Sequence, residues 1–198
     1  MPNRIETVDT LKQFYLLVPS HVREAYLYHL LLNPPVEVAH MRRALVEKKP
    51  KGHKARARGK TKAKTSTVEE EEIVQPPPTI IFCTRPKTVA YLTHLLKALD
   101  IRATALHSRL TQRERLNSLD LFRASVIPVL VSTDVGARGL DVEDVALVVN
   151  WDMPTEPEEY THRVGRTARR GRSGVAVSFV TERDEERVQK IEGRIGEN

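Results

Sequence analysis

The spacing of apolar residues changes character twice along this chain. At the start, TLKQFYLLVP places Leu11, Phe14, Leu16 and Val18 ahead of a proline and predicts a strand. Ser20 then stands as the N-cap of a helix reaching Leu32, with Val22, Tyr26, Leu27, Leu30 and Leu31 at helical spacing. Pro34 and Pro35 stop it. Residues 34–78 break the pattern. VEVAHMRRALVEKK predicts one short helix, but KPKGHKARARGKTKAKTSTVEEEE has no apolar period and runs from basic to acidic before Pro76, Pro77 and Pro78. Such a stretch cannot bury enough apolar area to order itself, so a mostly disordered insertion is expected over 34–78.

From Thr79 the pattern becomes regular. TIIFC, ATALH, PVLVS, ALVVN and VAVSFV are short β-branched runs. Between them lie the helical patterns PKTVAYLTHLLKALD, TQRERLNSLDLFRA, a short turn after Thr133, and PEEYTHRVG, with a charged helix from near Glu182. Alternating strands and helices with continuously apolar strands predict an α/β fold, a parallel sheet flanked by helices on both faces. Ligands of such sheets bind beyond the carboxyl ends of the strands. Here those ends carry His107 and Ser108, Thr133 and Asp134, and Asn150 and Trp151.

Composition narrows the class. The 198 residues are 40% hydrophobic and 29% charged, enough for one globular domain with a real core. No apolar run nears the roughly 20 residues needed to cross a bilayer, and MPNRIETVDT has no signal-peptide core. The single cysteine, Cys83, excludes an intramolecular disulfide and is too little for a zinc ribbon, so no metal ligands are expected. An intracellular protein without membrane contact is the expectation. The net charge of +6 points toward nucleic acid, but its distribution matters. Residues 42–64 hold eleven Lys or Arg against Glu47, a local +10, which leaves −4 for the rest. If the folded body binds RNA, it does so through placed groups.

Three constellations carry chemistry. YTHRVGRTARRGRSG, residues 160–174, packs His162, Arg163, Arg166, Arg169, Arg170 and Arg172 between glycines. Arginines at three-residue spacing, with Arg166 and Arg169 projecting together past a helix end, can grip a phosphoryl group and stabilise its charge during transfer. A solvated basic loop is the plainer alternative. LVSTDVGARGLDV, residues 130–142, ends a buried strand in Ser132, Thr133 and Asp134 and continues through Arg138, Gly139 and Asp141. The Thr133 hydroxyl suits a phosphate oxygen and the Asp141 carboxylate a ribose hydroxyl, whereas Asp134 as a simple helix cap is the other reading. HSRLTQRER, residues 107–115, offers Thr111 as a cap with Arg109, Gln112 and Arg115 near the helix N-terminus, where phosphates are attracted. An exposed helix face explains it as well.

Taken together, in this order and spacing, these stretches resemble the C-terminal RecA-like domain of DEAD-box RNA helicases. IIFCTR resembles motif IV, LHSRLTQRER motif IVa, VSTDVGARGLDV motif V and HRVGRTAR motif VI, over residues 79–181; residues 5–33 resemble the segment that opens the domain. The resemblance implies a single RecA-like domain, started by residues 1–33, interrupted by 34–78 and completed by 79–198. It implies Arg166 and Arg169 as arginine fingers toward an ATP γ-phosphate. Asp141, Gly139, His162 and Arg163 fall on the nucleotide side, with His162 and Arg163 linking ATP state to closure. Thr133, Arg138, Arg109, Gln112, Arg115 and Arg85 fall along an RNA backbone, where sugar and phosphate contacts select RNA without reading sequence. Finer texture resembles fungal helicases of small ribosomal subunit assembly, implying pre-ribosomal RNA as partner, an activating protein, and a nuclear, nucleolar location.

Two departures stand out. Thr84–Arg85 replaces the Asn-Thr usual in motif IV, and 34–78 sits where most relatives have a shorter loop. The other half of a helicase is missing. Gly59–Lys60–Thr61 ends like a P-loop, but position 54 is Lys54 rather than glycine and no apolar strand precedes it. Glu69–Glu72 is no substitute for a D-E-A-D motif. ATP and Mg²⁺ would therefore be held mainly by an absent first RecA-like domain, this piece alone would not hydrolyse ATP, and Met1 and Asn198 would bound part of a longer protein. A module that only docks RNA or protein is the competing class, and it would tolerate loss of Arg166 and Arg169.

Overall fold

The computed structural model describes residues 10–41, 75–137, 142, 145–169 and 171–195. All six apolar runs are strands: β1 Leu11–Leu17, β2 Thr79–Cys83, β3 Ala103–Leu106, β4 Val129–Thr133, β5 Leu147–Asn150 and β6 Gly174–Val180. They form one sheet in the order β1-β6-β5-β2-β4-β3, parallel at each pairing. The helices are α1 Arg23–Leu32, α2 Val36–Ala39, α3 Pro86–Ala98, α4 Gln112–Arg123, α5 Asp134–Ala137, α6 Pro157–Val164 and α7 Glu185–Ile195.

Strand alternation builds the layers, because successive side chains point to opposite faces. Ile81 and Cys83 join Val131, Val149 and Val177 under Leu27 and Leu31 of α1, Val38 of α2, and Val89, Leu92 and Leu96 of α3. Ile80 and Phe82 join Leu130 and Val148 on the other face, beneath Leu119 and Phe122 of α4, Tyr160 and Val164 of α6, and Ile191 of α7. The inner strands β2, β4 and β5 are buried throughout, as apolar runs covered on both faces must be. β1 instead lies at the sheet edge, leaving Phe14, Leu16 and Leu17 exposed.

Local signals fared unevenly. The Thr111 cap is present with its full capping box: the Thr111 hydroxyl accepts from the Glu114 amide, and the Glu114 carboxylate accepts from Thr111. Ser20, expected as an N-cap, instead opens a short 3-10 turn, Ser20–Val22, that begins after extended Pro19, and α1 starts only at Arg23. The apolar face of α1 turns accordingly, with Leu27 and Leu31 buried, Tyr28 packed alongside and Tyr26 outside. Both ends of the expected insertion are ordered. Val38 packs into the core from α2, and the Gln75 side chain donates to the Asp100 carbonyl while accepting the Arg102 amide, so apolar and polar anchors reach further than composition implied. The basic run 42–64 and Glu69–Glu72 lie outside the described residues.

Neighbouring strands β2 and β5 send their outgoing connections in opposite directions, toward β3 and toward β6. Their carboxyl ends therefore open a crevice, the place where open parallel sheets bind ligands.

Candidate active site at the strand ends

A cleft of about 190 Å³ opens there, lined by Phe82 at the end of β2, Asp134 and Ala137 of α5, Glu159, His162 and Arg163 of α6, and Arg166 just beyond it. Helix α6 starts with Pro157 at its first turn, where a missing N–H costs nothing, and stops at Gly165. One helical turn separates Glu159 from His162 and Arg163, so all three face the cleft from the same side.

Arg163 is almost wholly buried, 1% exposed. Its Nε and Nη2 donate to the two carboxylate oxygens of Asp134 at 2.6 and 2.7 Å, a bidentate pair. Nη1 donates to Asn150 Oδ1 at 3.2 Å and to the Asp152 carbonyl at 2.6 Å, and the guanidinium stands 5.3 Å from the Phe82 ring. Asn150, fully buried, passes the connection to Ser178 on β6. Asp134 is thus the partner of Arg163, and the short-helix cap is Thr133, whose hydroxyl accepts the Gly136 amide.

A second tie holds the end of β2. Asp152 Oδ2 accepts from the Thr84 amide and hydroxyl, and its other oxygen lies 3.8 Å from Arg23, which stacks 4.2 Å over Trp151. Sequence reading missed Asp152 and Arg23; a carboxylate two residues past a buried strand was the only signal. Thr84, one of the two motif IV departures, is the residue that makes this tie. Burial, with the nearby Asp152 charge, pushes the Cys83 thiol well above its ordinary range despite the opposing arginines.

The expected site residues separate into groups. His162, Arg163 and Arg166 meet at the cleft. Arg169 lies past Ala168, which adopts a left-handed φ of 56°, and its Nε donates to the Gly165 carbonyl. It stands outside the cleft lining. Thr133 is buried at the end of β4. Arg109 and Gln112 are exposed on the rim next to β3, Arg115 is half-buried there, and Arg85 is exposed at the start of α3. Arg138, Gly139 and Asp141 lie outside the described residues, as does Arg170.

Chemically, the cleft sets guanidinium, imidazole and carboxylate groups side by side on one wall. Asp134 is neutralised by Arg163, which leaves Arg166 and Glu159 as the other charged groups on the wall, beside the His162 ring. Among the described residues no group of three or more His, Cys, Asp or Glu is placed to hold a metal ion. In the same residues, no helix is long and apolar enough to cross a membrane.

Residues 63–171 match the family model described as the helicase conserved C-terminal domain. The ATP-dependent RNA helicase DBP8 of Mycosarcoma maydis is 44% identical over 203 residues, covering 96% of this chain and 38% of that protein. The dbp8 helicase of Botryotinia fuckeliana is 59% identical over 117 residues, 59% of this chain and 22% of its own. Among solved structures, the C-terminal domain of the DEAD-box protein Dbp5 is 28% identical at a TM-score of 0.67, covering 96% of this chain and 88% of that one. S. cerevisiae Dbp5 bound to RNA and ADP BeF3 is 30% identical at a TM-score of 0.65, over 96% and 40%. The chain belongs to the helicase C-terminal domain family and has the RecA-like fold of its DEAD-box members. It spans well under half the length of the curated relatives it matches.

Proposed function

We propose that this chain is the C-terminal half of an ATP-dependent RNA helicase that acts in ribosomal RNA processing in the nucleolus. The carrying observation is the cleft at the ends of β2 and β5, with Arg166 and His162 on its wall and Arg163 locked behind them. Relatives named as DBP8 helicases, identical at 44% and 59%, support the wider reading.

In this reading ATP supplies the phosphoanhydride and Mg²⁺ offsets its charge, both held mainly by a first RecA-like domain. Arg166 and Arg169 complete the phosphate site from this side as the two domains close. Asp141 and Gly139 take the ribose side, and His162 senses the nucleotide across the cleft. Arg163 serves by clamping α6 to α5 and β5. Thr133, Arg138, Arg109, Gln112, Arg115 and Arg85 line the RNA backbone, so binding follows shape and charge more than sequence. Closure bends the strand and opens a short duplex; reopening releases it. The +10 run at 42–64 adds salt-sensitive attraction for RNA. An activating protein partner completes the expectation, and this half alone is inactive.

The test is ATP hydrolysis by the whole protein with and without single-stranded RNA, comparing wild type with Arg166→Ala and Arg169→Ala. A fall of about two orders of magnitude or more in the RNA-stimulated rate is expected. Unchanged hydrolysis with altered RNA or protein binding makes the domain a docking module and overturns the reading.

A further inference from the structure

The rim beside β3 holds an acceptor that the cleft chemistry does not use. His107 follows β3 and is only 8% exposed. Its Nδ1 lies 3.2 Å from the backbone nitrogen of Arg109, two residues on. An amide N–H can only donate, so Nδ1 carries no proton and the ring is neutral with its hydrogen on Nε2. The His107 carbonyl accepts the Leu110 amide, closing the same turn a second time. Immediately beyond, Thr111 and Glu114 close the capping box that starts α4. The loop 107–111 is therefore fastened at both ends, with Arg109 on it and Gln112 and Arg115 in the first turn of α4 that it leads into.

The turn is also seated from below. Ser132 donates its hydroxyl to the Leu106 carbonyl. Gly136 of α5 approaches the Leu106–His107 backbone so closely that a Cβ there would run into the Leu106 carbonyl. The end of β3 and the α5 turn thus share one backbone contact.

We infer that His107 is a positioning residue for RNA binding, its neutral ring fixing the backbone turn that presents Arg109 and the start of α4 to the phosphates. This rests on the reading that Arg109, Gln112 and Arg115 meet the RNA backbone. A preset turn spares the ordering cost a mobile loop would meet on binding. Protonation at Nδ1 replaces the acceptor with a second donor and opens the turn. The charges that bear on the ring are Arg109, which opposes protonation, and Glu114, which favours it; Gly136, from α5, brings none. Burial is the largest influence and holds the ring below its ordinary value. The positioning contribution is therefore complete at neutral pH and is lost as pH falls through that lowered value.

The experiment measures the affinity of the whole protein for a single-stranded polyuridylate oligonucleotide, in wild type, His107→Ala, His107→Asn and Arg109→Ala, from about pH 7.5 down to about pH 4.5, well below the ordinary histidine value. His107→Asn places a carbonyl where Nδ1 stood and cannot be protonated. His107→Ala should weaken binding about threefold to tenfold, the scale of one lost hydrogen bond, while His107→Asn stays within about twofold of wild type. The affinity of His107→Asn relative to wild type should rise as pH falls. Equal affinity for all His107 variants, or a ratio flat with pH, overturns the inference. Should His107→Ala fail to fold, His107→Asn and the pH ratio decide the question. Unchanged binding by Arg109→Ala removes the RNA-side reading, and the inference with it.

Discussion

Asp134→Ala tests whether the Arg163 clamp organises the cleft. In the native chain two guanidinium N–H groups meet the Asp134 carboxylate at 2.6 and 2.7 Å, and Arg163 is 1% exposed. Removing the carboxylate leaves a buried cation whose remaining acceptors, among the described residues, are the Asn150 and Asp152 carbonyls. Breaking a buried pair from one side costs about 3–5 kcal/mol. Asp134 retains 18% exposure, so water can enter the vacated space and the lower end, about 3 kcal/mol, is expected. For a chain of this size that lowers the melting temperature by about 6–12 °C. The double variant Asp134→Leu, Arg163→Met removes both charges and should melt closer to wild type than Asp134→Ala does. Thermal and urea unfolding followed by circular dichroism measures all three. A loss below about 1 kcal/mol in Asp134→Ala, or a double variant as unstable as the single one, refutes the clamp.

Two further outcomes follow from local geometry. Thr111→Ala removes the α4 cap and should cost about 1 kcal/mol, read by urea unfolding. The Thr111 hydroxyl and amide hold the Glu114 carboxyl below its ordinary value, so this support is present above the usual carboxylate range and lost as pH falls through the lowered value. An unfolding difference between Thr111→Ala and wild type that does not shrink in acid contradicts it. Cys83, buried with its thiol pushed up, should resist iodoacetamide at neutral pH and react once the chain is unfolded in guanidinium. Stoichiometric labelling of the folded chain, read by mass spectrometry, disproves that burial.

Much of this molecule was legible in one dimension. Strands of four to seven residues and the helices α3, α4 and α6 follow from apolar periodicity and short-range capping signals, because each is decided by neighbours within a turn or a pleat. The Thr111 capping box is such a signal, complete within four residues. Motif spacing was equally local, so the order of the arginine and glycine stretches carried the family.

What tertiary structure decided is which of similar residues does what. Arg163, Arg166 and Arg169 are equivalent in spacing, yet Arg163 is buried in an ion pair, Arg166 lines the cleft and Arg169 turns back to the Gly165 carbonyl. Asp134 reads as a cap and is a clamp; Asp152 reads as nothing and joins β2, α1 and α6. The Arg163 partners Asp134 and Asn150 stand 29 and 13 residues away in the chain, brought together only because β5 and β4 flank β2. Strand order is settled by packing among faces that are all apolar, and an apolar run carries no record of its neighbour. Local physics therefore wrote the elements and motifs into the sequence, whereas the pairing of charges across the sheet exists only once the sheet has assembled.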